Sequence, residues 1–130
     1  MRLLLILMSW VVGFSTQAQI FYKITSVAGG TCCTKPVSVS DYQFTKADSC
    51  NLDMVFGEDM VITIDSKGIN HKYVLLGQEE FSSALQSFKA LNLLNNTFVK
   101  ITFDHRNLDN ALMIIEFPEN YALSYQIVVL

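Results

Sequence analysis

At 130 residues, with 51% hydrophobic and only 16% charged side chains, the chain is too apolar and too weakly charged to be intrinsically disordered. Nine basic against twelve acidic residues give a net charge of −3, and the basic residues are scattered singly. That argues against the concentrated positive stripe on which binding to nucleic acid, or to an anionic membrane surface, relies.

Met1 to Ala18 reads as a cleaved secretory signal. Arg2 supplies the positive start, Leu3 to Phe14 an almost unbroken apolar run, and Ala18 a small residue at the cut. The run is about half the length of a ~20-residue membrane span, so no span is expected after cleavage. Residues 19–130 are then one globular domain, exported to the periplasm or the extracellular space. Without Arg2 the net charge is −4, and the single Trp, Trp10, is lost with the signal.

Ile20 to Val27 is rich in β-branched and aromatic residues and predicts a first strand, which Ala28-Gly29-Gly30 should end because paired glycines weaken a sheet. Cys32, Cys33 and Cys50 are an odd number in an oxidising compartment. The expected bridge joins Cys33 to Cys50, or alternatively Cys32 to Cys50, closing a loop worth about 3 kcal/mol of chain entropy. A vicinal Cys32–Cys33 ring would be strained. The spare thiol leaves room for a covalent homodimer. Pro36 opens an edge strand, Val37 to Phe44, since proline cannot donate to a ladder.

Met60 to Asp65 and Ile69 to Leu76 predict a hairpin around Asp65-Ser66-Lys67-Gly68, with Ile62 and Ile64 on one face. Gln78 to Leu94 predicts the one helix. Phe81, Ala84, Leu85, Phe88, Leu91 and Leu94 recur at three- and four-residue steps, Glu79 and Glu80 suit its first turn, and Asn95-Asn96 its stop. Asn95-Asn96-Thr97 also matches a glycosylation acceptor.

Thr97 to Phe103 alternates strictly, with Val99, Ile101 and Phe103 inward and Phe98, Lys100 and Thr102 outward. Ala111 to Phe117 is nearly all apolar and should be covered on both faces. Ala122 to Leu130 returns with Leu123, Tyr125, Ile127 and Val129 on one side. This order predicts an α+β fold, a curved antiparallel sheet of about six to seven strands packed on one amphipathic helix. The alternative is a small up-and-down barrel with the helix as a lid.

Chemistry-bearing constellations are sparse. Cys33 or Cys50 with His71 or His105 would supply a nucleophile and a base, but no spacing favours it and a disulfide would remove the thiol. Asp104-His105-Arg106 is the densest polar cluster. It reads as a solvated turn in preference to an acid-oriented histidine beside an anion-binding arginine. Asp48 and Asp53, or Glu58 and Asp59, lack the ligand order of a calcium loop. No metal or cofactor is expected. The Ser49–Phe56 run (S-C-N-L-D-M-V-F) resembles secreted bacterial lipocalin-like domains over those residues alone. The expected function is that of a non-enzymatic domain binding another protein, with outward-facing Phe98 in the contact. The alternatives are a carrier of a small apolar ligand in a lipocalin-like cavity and, last, an enzyme.

Overall fold

The computed structural model describes residues 19–32, 41–81, 84–107 and 110–130. The expected signal segment and most of the expected edge strand lie outside them. Nine strands follow in chain order: β1 (Ile20–Thr31), β2 (Gln43–Phe44), β3 (Asp48–Phe56), β4 (Val61–Ser66), β5 (Ile69–Phe81), β6 (Leu85–Asn92), β7 (Thr97–Asp104), β8 (Leu112–Phe117) and β9 (Tyr121–Val129). All pairings are antiparallel, and the ladder runs from β1 through β3 to β9, which pairs back onto β1. The architecture is therefore a closed eight-stranded up-and-down barrel, with β2 added at the end of β1.

This overturns the expected sheet packed on a helix, and the helical lid of the barrel alternative with it. No α-helix occurs among the described residues. Residues 78–81 instead end β5, and residues 85–92 form β6. The apolar spacing misleads because β6 carries apolar residues on both faces. Phe88 and Ala90 lie in the core, while Leu91 sits on the outer wall in register with Val74 and Phe98. Two alternating faces, each partly apolar, here coincide with a helical repeat. Register shifts at Leu75/Gly77 and Gln78/Glu80 bend β5 at this point, as bulges do where a sheet must curve to close.

The glycines of β1 do not end it. β1 runs on to Thr31, and Gly29 and Gly30 pair with Leu123 and Ala122 of β9. The missing side chains let aromatic rings lie against the strand. A Cβ on Gly30 would fall 2.6 Å from Phe44 Cδ1, and one on Gly29 would fall 3.0 Å from the Tyr121 hydroxyl. Phe44 and Tyr42, with ring centroids 6.2 Å apart, cover the outer face of β8 and β9 at Ile114 and Ala122. β8 is thus buried on both faces, as its apolar composition suggests.

The hairpin of β4 and β5 forms where expected. Ser66 pairs with Ile69 around Lys67 and Gly68, both at positive φ (54° and 85°), and the Gly68 amide donates to Asp65 Oδ1 over 3.1 Å. Both residues at positive φ mark the primed turn that matches strand twist. Ile62 and Ile64 are buried, as are Val99, Ile101 and Phe103 of β7. The inward residues of all eight barrel strands join one continuous core, with the Phe103 ring tilted against Phe56 (6.0 Å) and edge-on to Phe88 (6.1 Å). The interior of an eight-stranded barrel is just wide enough for side chains to fill or for one small ligand, and here the inward side chains are buried.

Candidate functional site

Strand alternation sorts β6, β7 and β8 into an inner wall and an outer wall, and two cross-strand rows lie next to each other outside. The first is apolar: Val61, Val74, Leu91 and Phe98 are successive ladder partners across β4 to β7. The second is charged: Lys89, Lys100 and Glu116 are partners across β6 to β8. Where the rows meet, the wall is indented by a groove of about 530 Å³, lined by Phe98, Lys89, Lys100, Glu116, Glu79 and Pro118 among others.

Phe98 is 53% exposed. Its ring is not loose, because Lys89 Nζ sits 4.7 Å from the ring centroid. Such a contact costs the ammonium little desolvation and contributes about 0.5–1 kcal/mol at an exposed site. Glu116 is tied to the body of the barrel by Tyr42. Burial, then the Glu116 carboxylate and its hydrogen bond, push the Tyr42 phenol up to about 12. The groove is therefore bordered by an aromatic ring and by charges of both signs.

Of the residues singled out from sequence, Phe98 faces outward as expected. The rest of the groove was missed, because Glu79, Lys89, Lys100, Glu116 and Pro118 come from four strands and a turn. The signal that could have found it is the outward apolar pair Leu91 and Phe98, which is legible only once β6 is read as a strand.

The expected disulfides of Cys50 are not formed. Cys50 carries a free thiol, whereas Cys32 is disulfide-bonded. Cys33 lies outside the described residues. The walls explain the separation: Cys50 packs against the inner core, while Cys32 joins the outer cluster around Tyr42 and Ile114. The Cys50 thiol donates to the Ile24 carbonyl over 3.8 Å, and burial pushes its pKa up. An activated nucleophile needs the opposite shift.

The Asp104-His105-Arg106 cluster is divided between surface and core. Arg106 folds back on Asp104, its Nε donating to Oδ1 over 3.0 Å and its Nη2 to Oδ2 over 2.7 Å. Burial raises the Asp104 pKa, but the Arg106 side chain, its backbone amide and its charge outweigh that and hold it below the usual range. His105 turns inward instead. Its ring lies parallel to Phe103 at 6.4 Å, and burial lowers its pKa.

His71 stands on β5 opposite Ile64. Among the acidic residues, Asp53 pairs with Lys23 over 2.6 Å and Asp59 caps its own turn by accepting from the Val61 amide. Among the described residues, no three His, Cys, Asp or Glu side chains gather as metal ligands would. Asn95 is exposed in the β6–β7 turn, where its Oδ1 accepts from the Thr97 hydroxyl over 2.6 Å.

Fold and surface together define a small closed antiparallel barrel with a continuous core and an amphipathic groove on its outer wall. No protein family, no curated protein and no solved structure matches the chain.

Proposed function

We propose that this chain is a small exported, non-enzymatic domain that binds another protein through the outer wall of β6, β7 and β8. The observation that carries the reading is Phe98, a large aromatic residue held half-exposed by Lys89 at the edge of the groove. Aromatic residues bordered by polar rims are the usual anchors of protein interfaces. Export rests on the apolar segment of residues 1–18 and its small-residue end. The raised Cys50 thiol supports this reading over a cysteine enzyme.

A photo-reactive residue at position 100 would be used to cross-link partners in the source cells, with and without Phe98→Ala. The expected result is a discrete adduct that Phe98→Ala abolishes while Phe21→Ala, on a distant part of the wall, retains it. An adduct indifferent to Phe98→Ala would sink the assignment. Mass spectrometry of the exported form should find Gln19 as its first residue.

A further inference from the structure

We propose that the end of the barrel interior where β7 finishes binds a small uncharged molecule that both donates and accepts hydrogen bonds, held between Tyr22, Gln86 and His105. Each of these side chains is almost wholly buried, at 1%, 2% and 5% exposure. Each also carries a buried polar atom with no protein partner: the Tyr22 hydroxyl, Gln86 Oε1 and His105 Nε2. Buried polar atoms are very largely satisfied in folded proteins, so three at one end of one core call for a common explanation.

The topology brings them together. β1 starts at this end, β6 starts at it and β7 finishes at it. Gln86 stands directly opposite Phe103 in the ladder, and His105 is stacked on the Phe103 ring. The ladder continues past β7, since the His105 amide donates to the Ala84 carbonyl over 2.8 Å. Gln86 and His105 are thus diagonal neighbours on one inner face, positions that stand about 7–8 Å apart and within reach of long side chains. Tyr22 enters the same core from the start of β1, and the rings of Phe56, Phe88 and Phe103 belong to that core.

The three atoms also fix the chemistry. Gln86 Oε1 can only accept, so the occupant donates to it. The Tyr22 hydroxyl can donate, and neutral His105 Nε2 does either according to tautomer. Burial pushes the Tyr22 pKa up and the His105 pKa down, so both favour their neutral forms and neither offers a charge to pair. Water meets this description, and so does a small organic molecule with a hydroxyl or amide group.

The test uses the natively purified chain and two near-isosteric variants, Tyr22→Phe and Gln86→Met. Oxygen-17 relaxation dispersion counts long-lived internal waters, and native mass spectrometry detects a retained organic molecule. A water signal or an added mass that disappears in either variant supports the site and tells the two sources apart. The variants should also lower Tm by roughly 4–8 °C, because the occupant's remaining partners lose their bonds. An internal-water count and mass unchanged by both variants, or a Tm raised by both, would overturn the proposal. Tm rises if the polar atoms are dry, because their removal then simply relieves an unpaired burial.

Discussion

Phe98 and Phe103 occupy one strand, β7, and should respond oppositely to the same truncation. Phe103 is 1% exposed and touches Phe56, Phe88 and His105, so Phe103→Ala removes a central core ring and leaves a cavity. Truncation of a buried phenylalanine costs about 3–5 kcal/mol, and each lost aromatic pair adds about 0.5–1.5 kcal/mol. Against a total of roughly 5–15 kcal/mol, that loss leaves the domain marginal or unfolded. Phe98 is about half exposed, and its truncation forfeits part of its burial and the Lys89 contact, roughly 1 kcal/mol. Urea denaturation followed by far-ultraviolet circular dichroism reads both. With a slope of about 1.5 kcal/mol/M, the midpoint should fall by less than about 1 M for Phe98→Ala and by about 2–3 M or more for Phe103→Ala. Equal shifts, or a larger one at Phe98, would mean that β7 is displaced by one residue. Such a slip turns every inward side chain of the strand outward, and it would remove the groove as well.

Gly30→Val should dislodge Phe44, whose ring atoms lie 2.6 and 2.8 Å from the new Cβ, at a cost of about 1–3 kcal/mol in a thermal melt. Gly77→Ala, with nothing within 4 Å of its Cβ, should stay within about 0.5 kcal/mol of the parent; similar losses in the two variants would contradict the packing of β2. Acid should destabilise the domain in two steps. Burial lowers the folded-state His105 pKa, so the unfolded chain takes up protons first; stability is full above about pH 6.5 and is lost as pH falls through the folded value. Asp104 is also lowered, so its contribution is present above about pH 4 and is lost below it. Urea midpoints between pH 3 and 8 should show His105→Phe abolishing the upper step and Asp104→Asn the lower, and an upper step that persists in His105→Phe would refute the assignment. Alkylation after unfolding in denaturant without reductant, followed by peptide mapping, should place the label on Cys50, whereas Cys50 recovered in a bridged peptide would contradict its free thiol.

Much of the barrel is legible in the sequence. The strict alternation of 97–103, the Lys67-Gly68 turn and the two-sided apolar run of 112–117 each specify a strand and its facing. β6 is not legible locally, because Phe88, Leu91 and Leu94 satisfy a helical repeat and nothing between 85 and 92 forbids one. Only the need for a strand between β5 and β7 decides it. The extension of β1 through Gly29 and Gly30 is hidden for a similar reason, since the rings that occupy the space come from Phe44 and Tyr121. Phe98 can be chosen from alternation alone. The inward course of His105 cannot, because charged neighbours on both sides mark it as a surface residue.

Closure between β1 and β9 sets a condition on how the chain reaches this state. Tyr22 pairs with Val129 and Thr31 with Tyr121, so the barrel's seam joins the beginning of the domain to its end. Every other barrel junction links neighbours in sequence and can form as soon as both strands exist. The seam must wait for the whole domain, and until then β1 and β9 each present an open row of amides and carbonyls to any other strand they meet. A chain shortened within β9 would therefore not be a smaller barrel but an unsealed sheet, prone to pair with its own copies.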